Sequence, residues 1–397
     1  MYLVTALFLV ITIDTLGIGF VWPLFGPLFT GDNTTLFSQA VSIEWRNILY
    51  GITIGIANLA TFLCSPILGD LSDSIGRSKI LFFCLISTSI GMIISALGIT
   101  FNQVILIIFS RAWLGVTAGS QVIAQAIIID TSNHKNKSAQ MGIISAANNI
   151  GFVFGPIIGS LLINKTLVSW FNLTTPFYFA AILAILGALF LLKVFKKNGE
   201  PPIFLKPQST KKVSIFIRAF THKKIRNIAL VYICLQIGWA LYLQTNFLSL
   251  IQKYHYSSLN LAYFLSWLGV IFCFNLLVIV RILTHLVPIK IITFYTLTTA
   301  MISCLVMAFH NTTISIWLGT LTMATATALG SNAILTNLSN DAQKYEQGWI
   351  MGIGNSLAAL AWAITPPITG ILLVFGFTLP LIIAGFLFLL GLLLTLR

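Results

Sequence analysis

Apolar runs of membrane-crossing length alternate with short polar joints along the whole chain. A helix needs roughly 20 apolar residues to cross a bilayer. Runs of that kind predict helices near 3–28, 47–69, 80–100, 104–130, 140–163 and 174–193, and again near 227–250, 259–282, 289–309, 313–338, 347–374 and 378–396. The pattern therefore predicts an all-α membrane protein with about 12 transmembrane helices. It divides into a six-helix bundle over 1–194, a linker over 195–226 that contains Pro201, Pro202 and Pro207, and a second six-helix bundle over 227–397. The halves look duplicated. Met141, Gly142, Ile143, Pro156, Ile158 and Leu162 match Met351, Gly352, Ile353, Pro366, Ile368 and Leu372 at a constant separation of 210 residues. Apolar matches alone mean little, but a Met-Gly-Ile start with a proline at equal depth marks two six-helix pseudo-repeats.

Composition sharpens this picture. The chain is 57% hydrophobic and 8% charged, so its solvent must be lipid. The first run begins at Met1 with neither a basic leader nor a small-residue cleavage site, and it contains Asp14; no cleaved signal peptide is expected. The formal charge of +13 would suit nucleic acid if the bases formed one patch. Instead they fall on alternate joints, with Arg46, Lys165 and Lys253 alone on the minority side. Cytoplasmic joints carry the Lys/Arg excess, so both termini and the linker are expected inside, with no nucleic-acid partner.

Several chemistries are excluded by what the sequence lacks. No G-x-x-x-x-G-K-[ST] loop occurs, so an ATP-driven pump is not expected, and scattered acids argue against an enzyme. Cys64, Cys84, Cys234, Cys273 and Cys304 stand singly, as do His134, His222, His255, His285 and His310, so neither a metal nor a cofactor is predicted.

Four motifs remain. The joint after the second run reads Gly69-Asp70-Leu71-Ser72-Asp73-Ser74-Ile75-Gly76-Arg77-Ser78-Lys79. Gly69 suits close helix approach, Gly76 a tight turn, and Asp73 with Arg77 a charge pair across it; a helix-end acid beside a positive-inside arginine is the plainer alternative. The fourth run holds Arg111, Gly115 and Gly119, and Asp130 near its end. A buried arginine costs several kcal/mol unless paired or hydrated, and proton relay and structural pairing are both open for it. The fifth run holds Gly151, Gly155, Pro156 and Gly159, small residues for close packing with a proline that bends the helix. The first reads Ile13-Asp14-Thr15-Leu16-Gly17-Ile18-Gly19-Phe20-Val21-Trp22-Pro23, which places Asp14 ~16 Å along its helix, near the bilayer midplane. No other acid lies so deep. It either titrates or is bonded permanently to polar neighbours.

Together these motifs resemble the major facilitator superfamily. The loop at 69–79 is similar to its signature G-x-L-x-D-x-x-G-R-x-K, to which Asp130 adds the family's further acid; the second-half equivalent has Thr284 and Pro288 in place of Asp73 and Arg77. Arg111 with Gly115 resembles its R-x-x-x-G motif. The fifth-run glycines resemble the G-x-x-x-G-P-x-x-G motif of drug:proton antiporters, and the first run resembles the opening of tetracycline-efflux-like members. The resemblance implies a secondary transporter of the bacterial inner membrane, exporting a small organic molecule in exchange for protons by alternating access. An uptake symporter for a nutrient, siderophore or metabolite is the alternative. It also implies a gate at the signature loop, proton coupling through Asp14 and Arg111, and function as a monomer in the lipid bilayer. Polar and aromatic residues at Trp22, Gln121, Gln125, Trp239, Tyr242, Gln244, Asn246, Asn275, Asn332, Asn355 and Trp362 form the pool of candidates for a substrate path.

Overall fold

The computed structural model describes residues 2–31, 34–38, 40–131, 137–198, 223–310, 312–340 and 347–395. Among them, eleven helices are long and apolar enough to span a bilayer, and a shorter apolar stretch, Ala146–Leu161, supplies a twelfth. The helices of the first half are α1 (Tyr2–Thr30), α2 (Ile43–Ile75), α3 (Arg77–Thr100), α4 (Val104–Val116), α5 (Ser120–Thr131), α6 (Lys137–Leu161) and α7 (Thr175–Asn198). Those of the second are α8 (Lys223–Gln252), α9 (Ser258–Phe274), α10 (Val280–Leu286), α11 (Ile289–Phe309), α12 (Thr313–Asn340), α13 (Gln347–Leu372) and α14 (Thr378–Thr395). Large apolar side chains such as Ile105, Leu277, Phe309 and Phe386 stay exposed, as expected where lipid rather than water covers the surface.

The internal duplication holds at the level of packing. In the first half α1 lies against α6, α7 and α5, and α3 against α7 and α4. In the second, α8 lies against α13, α14 and α12, and α11 against α14 and α12. Each half thus repeats one neighbour pattern, in which the first helix packs against three others. This explains why α8 carries a nearly unbroken buried run from Gly238 to Ile251.

Two helices differ from the regular spans that hydropathy predicts. The fourth span is broken into α4 and α5 at Thr117–Gly119. Thr117 Oγ1 donates back to Trp113 O at 3.2 Å and Leu114 O at 3.5 Å, while Ala118 N reaches Gly115 O and Gly119 N reaches Thr117 O, bonds too short in sequence to continue an α-helix. Hydropathy does not register such a break, because every residue in it is small and only mildly polar. The eighth span is interrupted by a π-helical turn at Asn275–Ile279. Asn275 Nδ2 there donates to Ile271 O at 2.8 Å and to Thr325 Oγ1 of α12 at 3.1 Å, so the widened turn is held from both sides.

Contacts divide the chain into two compact units: Met1–Ala40 with Ile56–Gln208 and Tyr256–Ser266, and Val41–Gly55 with Ser209–His255 and Trp267–Arg397. Within the second unit, the first turns of α2 belong with α13. A Cβ on Gly51 would stand 2.3 Å from Pro366 O, and one on Gly370 would stand 2.5 Å from Asn47 O, so only glycine allows the backbones this close. Gln252 Nε2 donates to Asn47 Oδ1 at 2.5 Å in the same unit. Within the first unit, Ser266 Oγ of α9 donates to Val153 O of α6 at 2.6 Å.

Candidate functional site

The break in the fourth span creates the site's main feature. It starts α5 at Ser120, and the Ser120 hydroxyl donates to Asp14 Oδ2 in a short hydrogen bond. Asp14 is only 6% exposed, and its other oxygen, Oδ1, is buried without a hydrogen-bond partner among the described residues. The N-terminal end of a helix carries a partial positive charge, so the start of α5 and the Ser120 hydroxyl both favour the carboxylate, whereas burial penalises it. The opposing effects meet on one group. Protonation at Oδ1 would leave the bond at Oδ2 in place.

The motif on α6 holds α1, the helix that carries Asp14. A Cβ on Gly151 would stand 2.1 Å from Thr15 Oγ1, one on Gly155 2.7 Å from Gly19 Cα, and one on Gly159 2.1 Å from Phe20 O. Reciprocally, a Cβ on Gly19 would stand 2.7 Å from Gly151 O. The two backbones interlock over about two turns of α6, with Thr15 directly after Asp14 in the contact. Thr15 Oγ1 donates mainly to Ile11 O of its own helix at 2.8 Å, so the hydroxyl is satisfied inside this dry contact. Trp22 follows on the same pair of helices, edge-on to Phe152 with ring centroids 5.8 Å apart.

Arg111 is placed elsewhere. Its guanidinium carbon lies 4.7 Å from the centroid of the Phe25 ring, a cation–π geometry, and Phe25 in turn meets Phe177 edge-on at 5.8 Å. Phe25 is eleven residues beyond Asp14, roughly 16 Å along the axis of α1. Asp14 and Arg111 therefore occupy two levels of the bundle.

At the signature loop, Gly76 adopts φ 116°, the left-handed region that glycine enters without strain, and it joins α2 to α3 in a one-residue turn. A Cβ on Gly69 would meet nothing within 4 Å. Ser72 Oγ donates to Gly69 O at 2.7 Å, which binds the last turn of α2 to itself. Asp70 and Lys79 are exposed and Arg77 is half-buried. The side chains of Asp73, Asp130 and Asn355 lie outside the described residues.

The second half carries a different wall. On α8, Trp239, Tyr242, Gln244 and Asn246 are all buried, and Trp239 stacks on Tyr242 with an interplanar angle of 17°. Asn246 Nδ2 donates to Tyr242 O at 2.9 Å, leaving its Oδ1 bare; the Thr245 hydroxyl also lacks a partner among the described residues, whereas Tyr242 Oη and the Thr320 hydroxyl face each other. Asn275 joins α12, as described above, and Asn332 only bonds back to Ala328 O at 3.3 Å. Gln121, Gln125 and Trp362 are half-buried. Gln236, absent from the predicted pool, donates to Ser331 Oγ at 3.5 Å. Ser120 was likewise absent, although Thr-Ala-Gly before it is a legible helix-breaking signal.

A helical membrane bundle with internal duplication, an acid buried in one half and a polar helix buried in the other defines a transporter rather than an enzyme. The chain belongs to the Major Facilitator Superfamily, which it matches over residues 7–366. The class H tetracycline resistance protein of Pasteurella multocida is 24% identical over 90% of this chain and 86% of its own. The class C tetracycline resistance protein of Escherichia coli is 30% identical, over 49% of this chain and 46% of its own, so that match spans about half of each. Multidrug resistance protein 2 of Bacillus subtilis is 25% identical over 87% of this chain and 85% of its own. Among solved structures, the human organic anion transporter MFSD10 superposes with a TM-score of 0.70 at 20% identity, covering 99% of both chains. A D-xylose-proton symporter superposes with a TM-score of 0.75 at 14% identity, covering 100% of this chain and 96% of that one; at such identities the likeness is one of fold.

Proposed function

We propose that this transporter exports a small organic molecule in exchange for protons, with Asp14 as the proton carrier. The observation that carries the reading is the asymmetric carboxyl of Asp14, with one oxygen bonded to Ser120 at the start of α5 and the other buried and bare. Protonation neutralises the group; release restores a charge that attracts a cationic or polar substrate. Exchange follows if proton and substrate favour different states, because coupling requires differential binding. The family-like α6 motif and the efflux-type names of the relatives support export. Stacked Trp239 and Tyr242, with the bare Oδ1 of Asn246 beside them, suit a planar substrate that also hydrogen-bonds. In everted vesicles with an acid interior, added substrate should release protons outward. Proton-driven accumulation in intact cells would instead establish uptake.

The reading includes a bacterial inner-membrane location with both termini and the 195–226 linker cytoplasmic, supported by the asymmetry of basic residues. A cysteine placed at Ser209 should react with a membrane-impermeant maleimide only after the membrane is opened. Labelling in intact spheroplasts would reverse the topology.

We also propose that Asp73, Arg77 and Asp130 form a charge latch on the cytoplasmic side, in a monomer whose halves are 1–194 and 227–397. Arg77→Ala should slow transport roughly 5- to 150-fold, the range of ordinary site-to-site coupling, without loss of membrane insertion. Parental turnover in that variant would reduce the loop to a topology signal.

A further inference from the structure

The geometry points to a binding site for the phosphate headgroup of an anionic phospholipid, where the first turn of α3 meets the last turns of α7. A cavity of about 290 Å³ opens there, lined by Ser78, Lys79 and Phe82 from α3 and by Leu191, Phe195 and Lys196 from α7. Four features converge on it.

Both lysines supply positive charge, and among the described residues neither has an acidic partner. Ser78 is only 6% exposed, and its hydroxyl is buried without a hydrogen-bond partner among the described residues, although it borders the cavity. A buried hydroxyl left bare is unfavourable, and an acceptor in the cavity would relieve it. The start of α3 adds a third element: Gly76 caps it with no side-chain hydrogen bond, and the first-turn N–H groups of an α-helix have no acceptor of their own. Finally, the rest of the lining is apolar. Leu192 also borders the cavity, and Leu189 and Ile185 continue from it, exposed, along α7 at helical spacing.

This combination selects the occupant. A cavity near the lower end of the ~300–1,000 Å³ range for small ligands holds a headgroup, not a whole lipid. An acyl chain would lie along the exposed leucine stripe. The chain's own linker is an unsuitable occupant, because residues 199–222 carry Lys206, Lys211, Lys212 and Arg218 against a single acid, Glu200. Like charge would repel it from Lys79 and Lys196. A free phosphate would satisfy the polar half of the site but make no use of its apolar half, Phe82, Leu192 and Phe195.

The test uses the purified full-length protein, delipidated in mild detergent and titrated with phosphatidylglycerol, phosphatidylcholine or inorganic phosphate while bound lipid is counted by native mass spectrometry. Phosphatidylglycerol should bind more tightly than phosphatidylcholine. Each lysine near a membrane surface contributes a factor of about five, so Lys196→Gln should weaken phosphatidylglycerol about fivefold, and adding Ser78→Ala should weaken it further. Lys196 is exposed and Ser78→Ala only removes an oxygen, so both variants should remain monodisperse. Equal binding of phosphatidylcholine, or unchanged phosphatidylglycerol affinity in the monodisperse double variant, would overturn the site. Displacement of the lipid by equimolar inorganic phosphate would overturn the lipid in favour of a free anion.

Discussion

Asp14→Asn should collapse the substrate gradient to an accumulation ratio of about 1 while leaving the protein inserted and able to exchange substrate passively. The amide keeps the size of the carboxyl, and its carbonyl oxygen can still accept the Ser120 hydroxyl, so the α1–α5 contact survives. What is lost is the oxygen that takes up and releases a proton. Energy from the proton gradient then has no route to the substrate, because a state change that binds no proton cannot be biased by one. The residues proposed to meet substrate on α8 are themselves unaltered by the change. The checking measurement is paired: gradient-driven transport and counterflow in the same proteoliposomes. Parental gradient-driven transport with an unchanged pH profile would exclude Asp14 as an essential carrier and leave it as a permanently bonded structural acid.

The second large effect is expected at Gly155. A Cβ there meets backbone, not a side chain that can turn away: Gly19 Cα at 2.7 Å, Gly19 C at 3.0 Å and Leu16 O at 3.2 Å. Gly155→Leu adds a whole side chain at that point, so α1 and α6 must separate. Overpacking a tight contact costs about 1–3 kcal/mol even where side chains can adjust. Because Thr15 sits in the same interface, separation also moves Asp14 relative to Ser120. Thermal stability in detergent should fall, and transport should drop by more than about tenfold, each 1.4 kcal/mol being a factor of ten. Gly187→Ala on α7 is the control. Its Cβ would stand 3.6 Å from Ile13 Cγ2, an ordinary contact, and the change should stay within about 0.5 kcal/mol. Equal stability and transport for both variants would mean that α6 is free to shift, and that its glycines are not a positioning device for α1.

Much of the fold was legible in one dimension because lipid imposes one rule on every span. Backbone groups must be satisfied within the helix and side chains must be apolar over the hydrocarbon thickness, so length and hydropathy alone locate the spans. The internal repeat was legible for a related reason: Pro156 and Pro366 mark equal depth in two copies of one packing pattern. Asp14 stood out by depth alone, and the α6 glycines by their spacing.

What surrounds Asp14 was settled only in three dimensions. Its partner Ser120 is 106 residues away and is presented by a helix start that hydropathy reads as the middle of a span. The break at Thr117–Gly119 depends on which carbonyls Thr117 and its neighbours reach, not on how apolar they are. Likewise, the sequence leaves proton relay and structural pairing both open for Arg111, and only packing sets its guanidinium against Phe25, a level further along α1. Gly69 and Gly159 both stand in glycine-bearing motifs, but a Cβ on the first would meet nothing within 4 Å and one on the second would stand 2.1 Å from Phe20 O. The sequence by itself determined the solvent, the spans and the identity of the buried acid, because each is a property of local composition. Tertiary structure alone decided which partner that acid has, which glycines lie against a neighbouring backbone and where the basic face opens a cavity, because those depend on distances between helices far apart in the chain.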